Sequence, residues 1–385
     1  MSVIALPIAA NRRGACPSLD APMQTGDGLL ARLRIAGGRL TPDQLGAIAA
    51  LAAEHGNGQV EITARGNLQV RGLTAASNAP FARAVEAVVT IERGLVVQTP
   101  PLAGEDPTEI ADPRSLAASI RAASMLLAAR LGPKVTVIVD GNGRLNLSPL
   151  KADIRLTAIG SDQWACSVGG RSDVILRNDA LMITLRSLRQ IADLGMEARA
   201  TDLAGPATTP RSSKVTSPIG SFAMHSSTTT GIALPFGSSD HASLAALATA
   251  ASHHGVTEFR LAPHHALLAI GAPPAFADDA GVLGFITDPA DPRTRISACI
   301  GSDGCASGHI PARAIAARLA DRLAPATTLH VSGCAKGCAH PRRAALTLVG
   351  RPDGYGLVID GSAGDTPQAL LRADQLGAAV AARQG

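Results

Sequence analysis

Aromatic residues are scarce: one Trp, one Tyr and six Phe among 385 residues. A core must therefore be assembled from Ala, Leu, Val and Ile, and stacking platforms for single-stranded nucleic acid, which need successive aromatic rings, are disfavoured. Long apolar runs are missing as well. None reaches the ~20 residues that a membrane-spanning helix requires. Val3–Ala10 is mildly apolar, but Arg12 and Arg13 follow it instead of preceding it, the reverse of a secretory signal. The expectation is a cytoplasmic protein. Excess charge of one sign is small, +4 with His neutral, which accommodates an anionic ligand without demanding nucleic acid. The 39 Gly and 25 Pro follow no short period, which excludes a collagen-like chain, and 46% hydrophobic against 17% charged residues excludes disorder. No Rossmann-type G-x-G-x-x-G follows a strand.

What is present begins with an alternation of strands and helices. Gly28–Ile35 reads as a strand, and Thr41-Pro42-Asp43 as a helix start with Thr as N-cap and Pro at the first helical position. That helix is expected to end at Gly56. Gln59–Thr63 and Asn67–Gly72 read as short strands around a turn at Arg65-Gly66. Residues 201–220 are rich in Pro, Ser, Thr and Gly and read as a linker. Beyond it the pattern restarts. FRLAPHHALLAIG (Phe259–Gly271) aligns without gaps on VEITARGNLQVRG (Val60–Gly72), each residue 199 positions later. VIVDGNG (Val137–Gly143) matches LHVSGCA (Leu329–Ala335), and DIRLTAIG (Asp153–Gly160) resembles AALTLVG (Ala344–Gly350). The order of the matches is kept, so the chain reads as a tandem duplication.

Six cysteines are present, and four of them, Cys299, Cys305, Cys334 and Cys338, fall within 40 residues. In a reducing compartment such a group reads as a metal or redox site before it reads as disulfides. The pattern is C-x5-C, a gap, then C-x3-C, in loops of small residues (ACIGSDGCASG and VSGCAKGCAHP). Small residues let the backbone approach an inorganic cluster closely. Zinc is the weaker alternative, because its paired cysteines are usually ~2–4 residues apart. Plain burial of four thiols is weaker still. The first half lacks these cysteines; Asn142 stands opposite Cys334. Cys16 and Cys166 read as apolar core residues with no assigned role.

Taken together, C-x5-C…C-x3-C and the T-x-R-G-N-x-Q-x-R-G element at Thr63–Gly72 resemble the sulfite and nitrite reductase superfamily. Within it, RRGACPSLDAPMQTGDGLLARLR (Arg12–Arg34), GGRLTPDQL (Gly37–Leu45) and FRLAP (Phe259–Pro263) are similar to the precorrin-3B synthases. The resemblance covers most of the chain except about Ser172 to Ser221. It implies an α+β class, a tandem-duplicated sulfite/nitrite reductase-like fold with ferredoxin-like half-domains and pseudo-two-fold symmetry. The expected division is a half-domain over 1–75, an α/β lobe without cluster ligands over 76–200, the linker, a half-domain over 221–290, and a cluster-bearing lobe over 291–385. The implied reaction is oxygen-dependent hydroxylation of precorrin-3A at a meso carbon with lactone formation, in aerobic cobalamin biosynthesis. The implied cofactors are a 4Fe-4S cluster on Cys299, Cys305, Cys334 and Cys338 and a mononuclear non-haem iron. A reductase using NADH or NADPH is the implied electron donor, and neighbouring methyltransferases of the pathway are further partners. Two other readings stand beside it: a small siroheme-dependent sulfite or nitrite reductase, and a non-catalytic Fe-S or zinc-stabilised tetrapyrrole-binding protein.

A macrocycle carrying many carboxylates needs fixed cations, with Arg preferred for bidentate recognition. Arg65, Arg71 and Asn67 in the turn-and-strand element, Arg34 on the neighbouring strand (with Arg32 on the same face), Arg260 in the second repeat and Lys336 between two cysteines are the candidate substrate contacts. Arg65 holds the T-x-R position, which in the superfamily faces the tetrapyrrole cavity. In the second repeat His264-His265 occupy the positions of Arg65-Gly66, a departure from the family pattern. Adjacent residues rarely aim at one metal, so these histidines read as surface or substrate-contacting residues, with iron ligation as the alternative.

Overall fold

Thr41 opens the first helix with a reciprocal capping box. Its hydroxyl accepts from the Gln44 N–H at 3.2 Å, and the Gln44 side chain accepts from the Thr41 N–H at 2.9 Å. The helix Pro42–His55 follows and stops at Gly56. Its equivalent, His241–His253, is capped by Asp240, whose carboxylate accepts from the Ser243 N–H at 2.9 Å. Leu45, Ile48, Ala49 and Ala52 are buried on the first helix, and Leu244, Leu247, Ala248 and Ala251 on the second. Both sets follow i, i+3, i+4, i+7, one stripe of a helix, and the second set stands 199 positions after the first. The two stripes share one core cluster with Phe81, Phe259 and Phe276, where six phenylalanines per chain are mostly spent. Full burial of each Leu or Ile contributes about 1.5–3 kcal/mol.

The computed structural model describes residues 16–203 and 216–382; residues 1–15 and most of the linker lie outside them. The described residues hold four five-stranded sheets. The first runs Met23–Thr25, Gly28–Leu33, Leu68–Leu73, Gln59–Ile62, Ser238–Asp240. The third runs Gly220–Ala223, Thr228–Ala233, Ala266–Ile270, Glu258–Ala262, Arg39–Leu40. Each sheet is therefore completed by a short strand from the other half of the chain: Ser238–Asp240 pairs antiparallel with the Gln59–Ile62 strand, and Arg39–Leu40 pairs antiparallel with Glu258–Ala262. The second sheet (Val96–Gln98, Thr136–Asp140, Ile154–Ala158, Gln163–Val168, Arg171–Leu176) and the fourth (Ile296–Ala298, Leu329–Ser332, Ala344–Arg351, Gly354–Gly361, Ala369–Leu371) have the same topology. Two parallel pairings are followed by two antiparallel ones in both. Helices Arg114–Ala123 and Arg177–Leu194 pack on the second sheet, and Ala312–Leu319 and Leu376–Ala381 on the fourth. The fold is the duplicated α+β arrangement that the repeats imply.

The sequence after the Asp112 cap predicts one helix over Pro113–Leu131, and the helix found is shorter. It ends at Ala123 and continues as a 3-10 turn, Met125–Arg130, whose Met125 and Leu126 are exposed. The edge strand Arg171–Leu176 has no buried residue and so lacks the alternation that marks a half-buried strand.

The two halves meet at their equivalent turns. Gly66 has φ +76°, and a Cβ there would stand 2.9 Å from the Ala262 backbone, while the Ala64 carbonyl accepts from the His264 N–H at 3.1 Å. His264 and His265 take the left-handed conformation without being glycine, at φ 62° and 65°. Gly66→Ala should therefore cost about 1–3 kcal/mol of strain and displacement. Gly255→Ala, also at positive φ but with nothing within 4 Å of the added carbon, should cost less. Chemical denaturation of the two variants checks the order; equal losses would refute the tight dyad contact.

Candidate functional site

Side-chain alternation sorts the first sheet into two faces. Val60, Ile62, Leu68 and Val70 turn into the core. Glu61, Gln69 and Arg71 take the other face, joined by Arg32 directly opposite Gln69. Arg32 donates twice to the Gln69 side-chain oxygen, at 3.1 and 3.0 Å, and the Gln69 amide donates to Glu61 at 3.3 Å. A polar row thus crosses three strands, with Gln69 and Arg71 buried.

Arg65 stands at the turn closing this hairpin. The Thr63 hydroxyl accepts from the N–H groups of Arg65 and Asn67, at 3.3 and 3.0 Å, and fixes the turn. The Arg65 guanidinium donates to the Lys151 carbonyl at 2.9 Å and to the Gln98 side chain at 2.7 Å. Its pKa is lowered first by burial, then by the charges of Arg32 and Arg199. The same holds around it. Arg34 donates to the carbonyls of Gly94 and Leu95, at 2.8 and 3.2 Å. Arg155 donates to those of Leu147 and Leu150, and Arg121 to that of Val97. Burial lowers the pKa of Arg32, Arg34 and Arg155 as well, and Arg65 adds to the lowering at Arg155. Arg32, Arg34, Arg65, Arg121 and Arg155 thus make their hydrogen bonds to neutral oxygens. Among nearby carboxylates, Asp153 is taken by Arg199 at 2.9 and 2.8 Å, Glu92 stands 3.8 Å from Arg121 and partly offsets Arg34, and Asp140 partly offsets Arg155. An open cleft lies here, lined by Arg65, Asn67, Glu92, Arg121, Gln98 and Leu261 among others.

Arg71 and Arg260 are placed differently from Arg65. Arg71 donates to both oxygens of Asp27, at 2.9 and 2.7 Å, and stands 3.6 Å from Glu61. Arg260 is held by Glu105 at 2.7 and 2.9 Å and by Glu258 at 2.6 Å. Both guanidinium charges are balanced inside the protein. Lys336 is exposed and bonds the Ser307 hydroxyl at 2.9 Å, tying one cysteine loop to the other. His265 bonds the Ile62 carbonyl, and His264 lines a small pocket with Pro101, Leu145 and Pro263. Burial lowers the pKa of both histidines.

The strand–helix–strand unit of the fourth sheet brings the two cysteine loops together. The Gly333 N–H donates to the Cys299 sulfur at 3.1 Å. Burial raises the Cys338 pKa, and Cys299, Cys334 and Cys305 raise it further, so all four thiols share one electrostatic neighbourhood. Glycines make the approach possible: a Cβ on Gly333 would stand 2.8 Å from the Gly301 Cα, and one on Gly301 would strike the Ile310 carbonyl. Beneath the second loop, both ring nitrogens of the fully buried His330 lack a partner among protein atoms, and burial with His340 beside it lowers its pKa to about 4. A cluster with sulfide acceptors suits such an orphan and such a cradle. Among the described residues no three His, Cys, Asp or Glu side chains converge on one ion.

Residues that sequence reasoning left without a role belong to this region. Cys16 lies beside Arg32, with Arg65 and Arg199 near it. Arg199 and Arg155 come from the first-half lobe, where no motif marked them. Cys166, by contrast, is a core thiol, pushed up to about 11 by burial.

The geometry defines a duplicated two-sheet fold with a cationic cleft and a cysteine-lined loop pair, a fold like that of the nitrite and sulfite reductases. Residues 21–88 match the family described as nitrite/sulfite reductase ferredoxin-like half domain. The solved structure of the Mycobacterium tuberculosis NirA protein superposes with a TM-score of 0.68, at 19% identity, over 91% of this chain and 79% of that one. A Sinorhizobium sp protein named precorrin-3B synthase is 40% identical over an alignment 410 positions long, gaps included, spanning 97% of this chain and 88% of that protein. The chain belongs to the precorrin-3B synthase family.

The charge balance separates the arginines experimentally. Arg260→Met leaves the half-buried carboxylates of Glu105 and Glu258 to Arg39 and should cost about 2–3 kcal/mol. Arg65→Met relieves repulsion from Arg32 and Arg199 and should leave stability within about 1 kcal/mol of the parent or raise it. Urea unfolding of both variants measures this; a loss at Arg65 as large as that at Arg260 would show that Arg65 serves the fold.

Proposed function

We propose that this chain is an oxygen-dependent monooxygenase that hydroxylates precorrin-3A at a meso carbon and forms the lactone of precorrin-3B. One observation carries the reading beyond family membership: Arg65 and Arg121 line a cleft, and their guanidinium groups, like those of Arg32 and Arg34 nearby, are hydrogen-bonded to neutral oxygens. Carboxylates of a polyacidic macrocycle would replace such acceptors with a gain in charge-assisted bonding. Arg65, Arg32 and Arg34 are the proposed anchors. Asn67 and Arg121 line the cleft together with Arg65. Arg71 and Arg260 are left out of substrate binding because each already holds carboxylates.

Cys299, Cys305, Cys334 and Cys338 are the proposed holders of a 4Fe-4S cluster. When bound, that group supplies single electrons. The chain's own part is to hold the macrocycle by its carboxylates, present one meso carbon, and keep the thiolates in a glycine-lined pocket. One oxygen atom of dioxygen enters the product and the other leaves as water. The two electrons required come from a reduced nicotinamide nucleotide through a separate reductase. The resemblance also implies a mononuclear iron; no ligand set for a single ion is found among the described residues, so no step is assigned to one. No described helix is long and apolar enough to cross a membrane.

The test is incubation of anaerobically purified protein with precorrin-3A, reductant and dioxygen, read by mass spectrometry. A product heavier by one oxygen atom, absent without dioxygen, is expected. Unchanged mass with tight binding would support the non-catalytic reading, and a strong Soret band in the purified protein would support a siroheme enzyme. Arg65→Met should raise KM about 10–100-fold, the worth of one charged hydrogen-bond pair. Cys334→Ser should remove most of the bound iron and acid-labile sulfide.

A further inference from the structure

Arg71, singled out from the sequence as a substrate contact, faces the cysteine loop instead. It and Asp27 are almost wholly buried, with side chains 7% and 8% exposed. Arg71 also donates to the Gly304 carbonyl at 3.3 Å, the residue before Cys305. Asp27 accepts a further bond from the Asn57 amide at 3.0 Å. A Cβ on Gly304 would stand 2.8 Å from the Asp27 carboxylate, and one on Gly26 would stand 2.8 Å from the Cys305 Cα. Two glycines therefore let the Thr25–Gly28 turn of the first half lie directly on the cysteine loop of the second. Glu61 extends the junction, 3.6 Å from Arg71 and bonded to Arg313 on the helix that follows the loop. Two cations and two carboxylates alternate, so the junction is neutral as a whole.

We propose that Arg71 and Asp27, balanced by Glu61 and Arg313, form a strap that seats the Cys299–Cys305 loop on the first sheet and sets the reduction potential of the cluster held there. This rests on the cluster assignment made above. Arg71 and Asp27 are positioning residues: they reach the cluster only through the loop backbone and through their charges. A cluster gains negative charge on reduction, so an unbalanced cation nearby raises its potential and an unbalanced anion lowers it.

The test uses the full chain, purified anaerobically, with iron and sulfide analysis followed by a redox titration monitored by electron paramagnetic resonance. Asp27→Asn leaves one cation in excess; Arg71→Met leaves one anion in excess. Both weaken the same contact, so a merely structural effect would move the potential the same way in both. The proposal expects opposite shifts, each about tenfold in the reduction equilibrium, or about 59 mV for a one-electron couple. The double variant, neutral again, should return toward the parent value. Should either single variant fail to fold, Glu61→Gln and Arg313→Met repeat the comparison at the outer members, with an upward and a downward shift. A shift absent or of one sign throughout overturns the strap. A parent protein without iron and sulfide overturns the cluster assignment itself, whereas a loaded protein whose potential ignores these charges overturns the strap alone.

Discussion

A guanidinium group carries its charge at any pH that a cell reaches, so burying one obliges the fold to supply oxygens around it. Much of the site follows from how that obligation is met. Where a carboxylate answers, as Glu105 and Glu258 answer Arg260, the charge is spent on holding elements together. Where a carbonyl or a glutamine answers, as at Arg65, Arg32 and Arg34, the hydrogen bonds are satisfied but the charge is not. Crowding Arg65 with Arg32 and Arg199 compounds the imbalance. A protein that evolved only for stability would relieve it; one that receives a polyanion gains from leaving it in place.

The fold was legible because its signals are local and repeated. Thr41-Pro42 and the i, i+3, i+4, i+7 stripe from Leu45 to Ala52 announce a capped amphipathic helix, and the same stripe returns at Leu244 to Ala251. The cysteine spacing was equally readable, since cluster geometry constrains short loops. The arginines were harder. Arg65, Arg71 and Arg260 look alike in sequence, and only the carboxylates that tertiary structure brings to two of them separate their roles. Glu105 and Asp27 lie far from their partners in the chain, 155 and 44 residues away, so no local pattern could show them. The strand Arg171–Leu176 escaped for a different reason: an exposed edge strand carries no hydrophobic alternation to read.

The duplication has divided labour unevenly. Both lobes keep the same five-stranded topology, yet the lobe of the second sheet supplies cations, through Arg155, Arg121 and Arg199, while the lobe of the fourth sheet supplies thiols. Where the second repeat has Cys334, the first has Asn142, held in the left-handed conformation with its side-chain amide donating to the Ala158 carbonyl. Asp140 beside it accepts from the N–H groups of Asn142 and Leu147, so backbone satisfaction has replaced cofactor binding in that loop.

The reciprocal loan of strands has a bearing on ancestry. Each ferredoxin-like sheet ends on a strand made by the other half, Ser238–Asp240 in one and Arg39–Leu40 in the other. An ancestor with a single unit could have satisfied both loans only by pairing with an identical copy, so the fused gene inherits the geometry of a homodimer. Fusion removes the requirement that both halves be the same, so one can carry the clustered cysteines while the other only lends its edge.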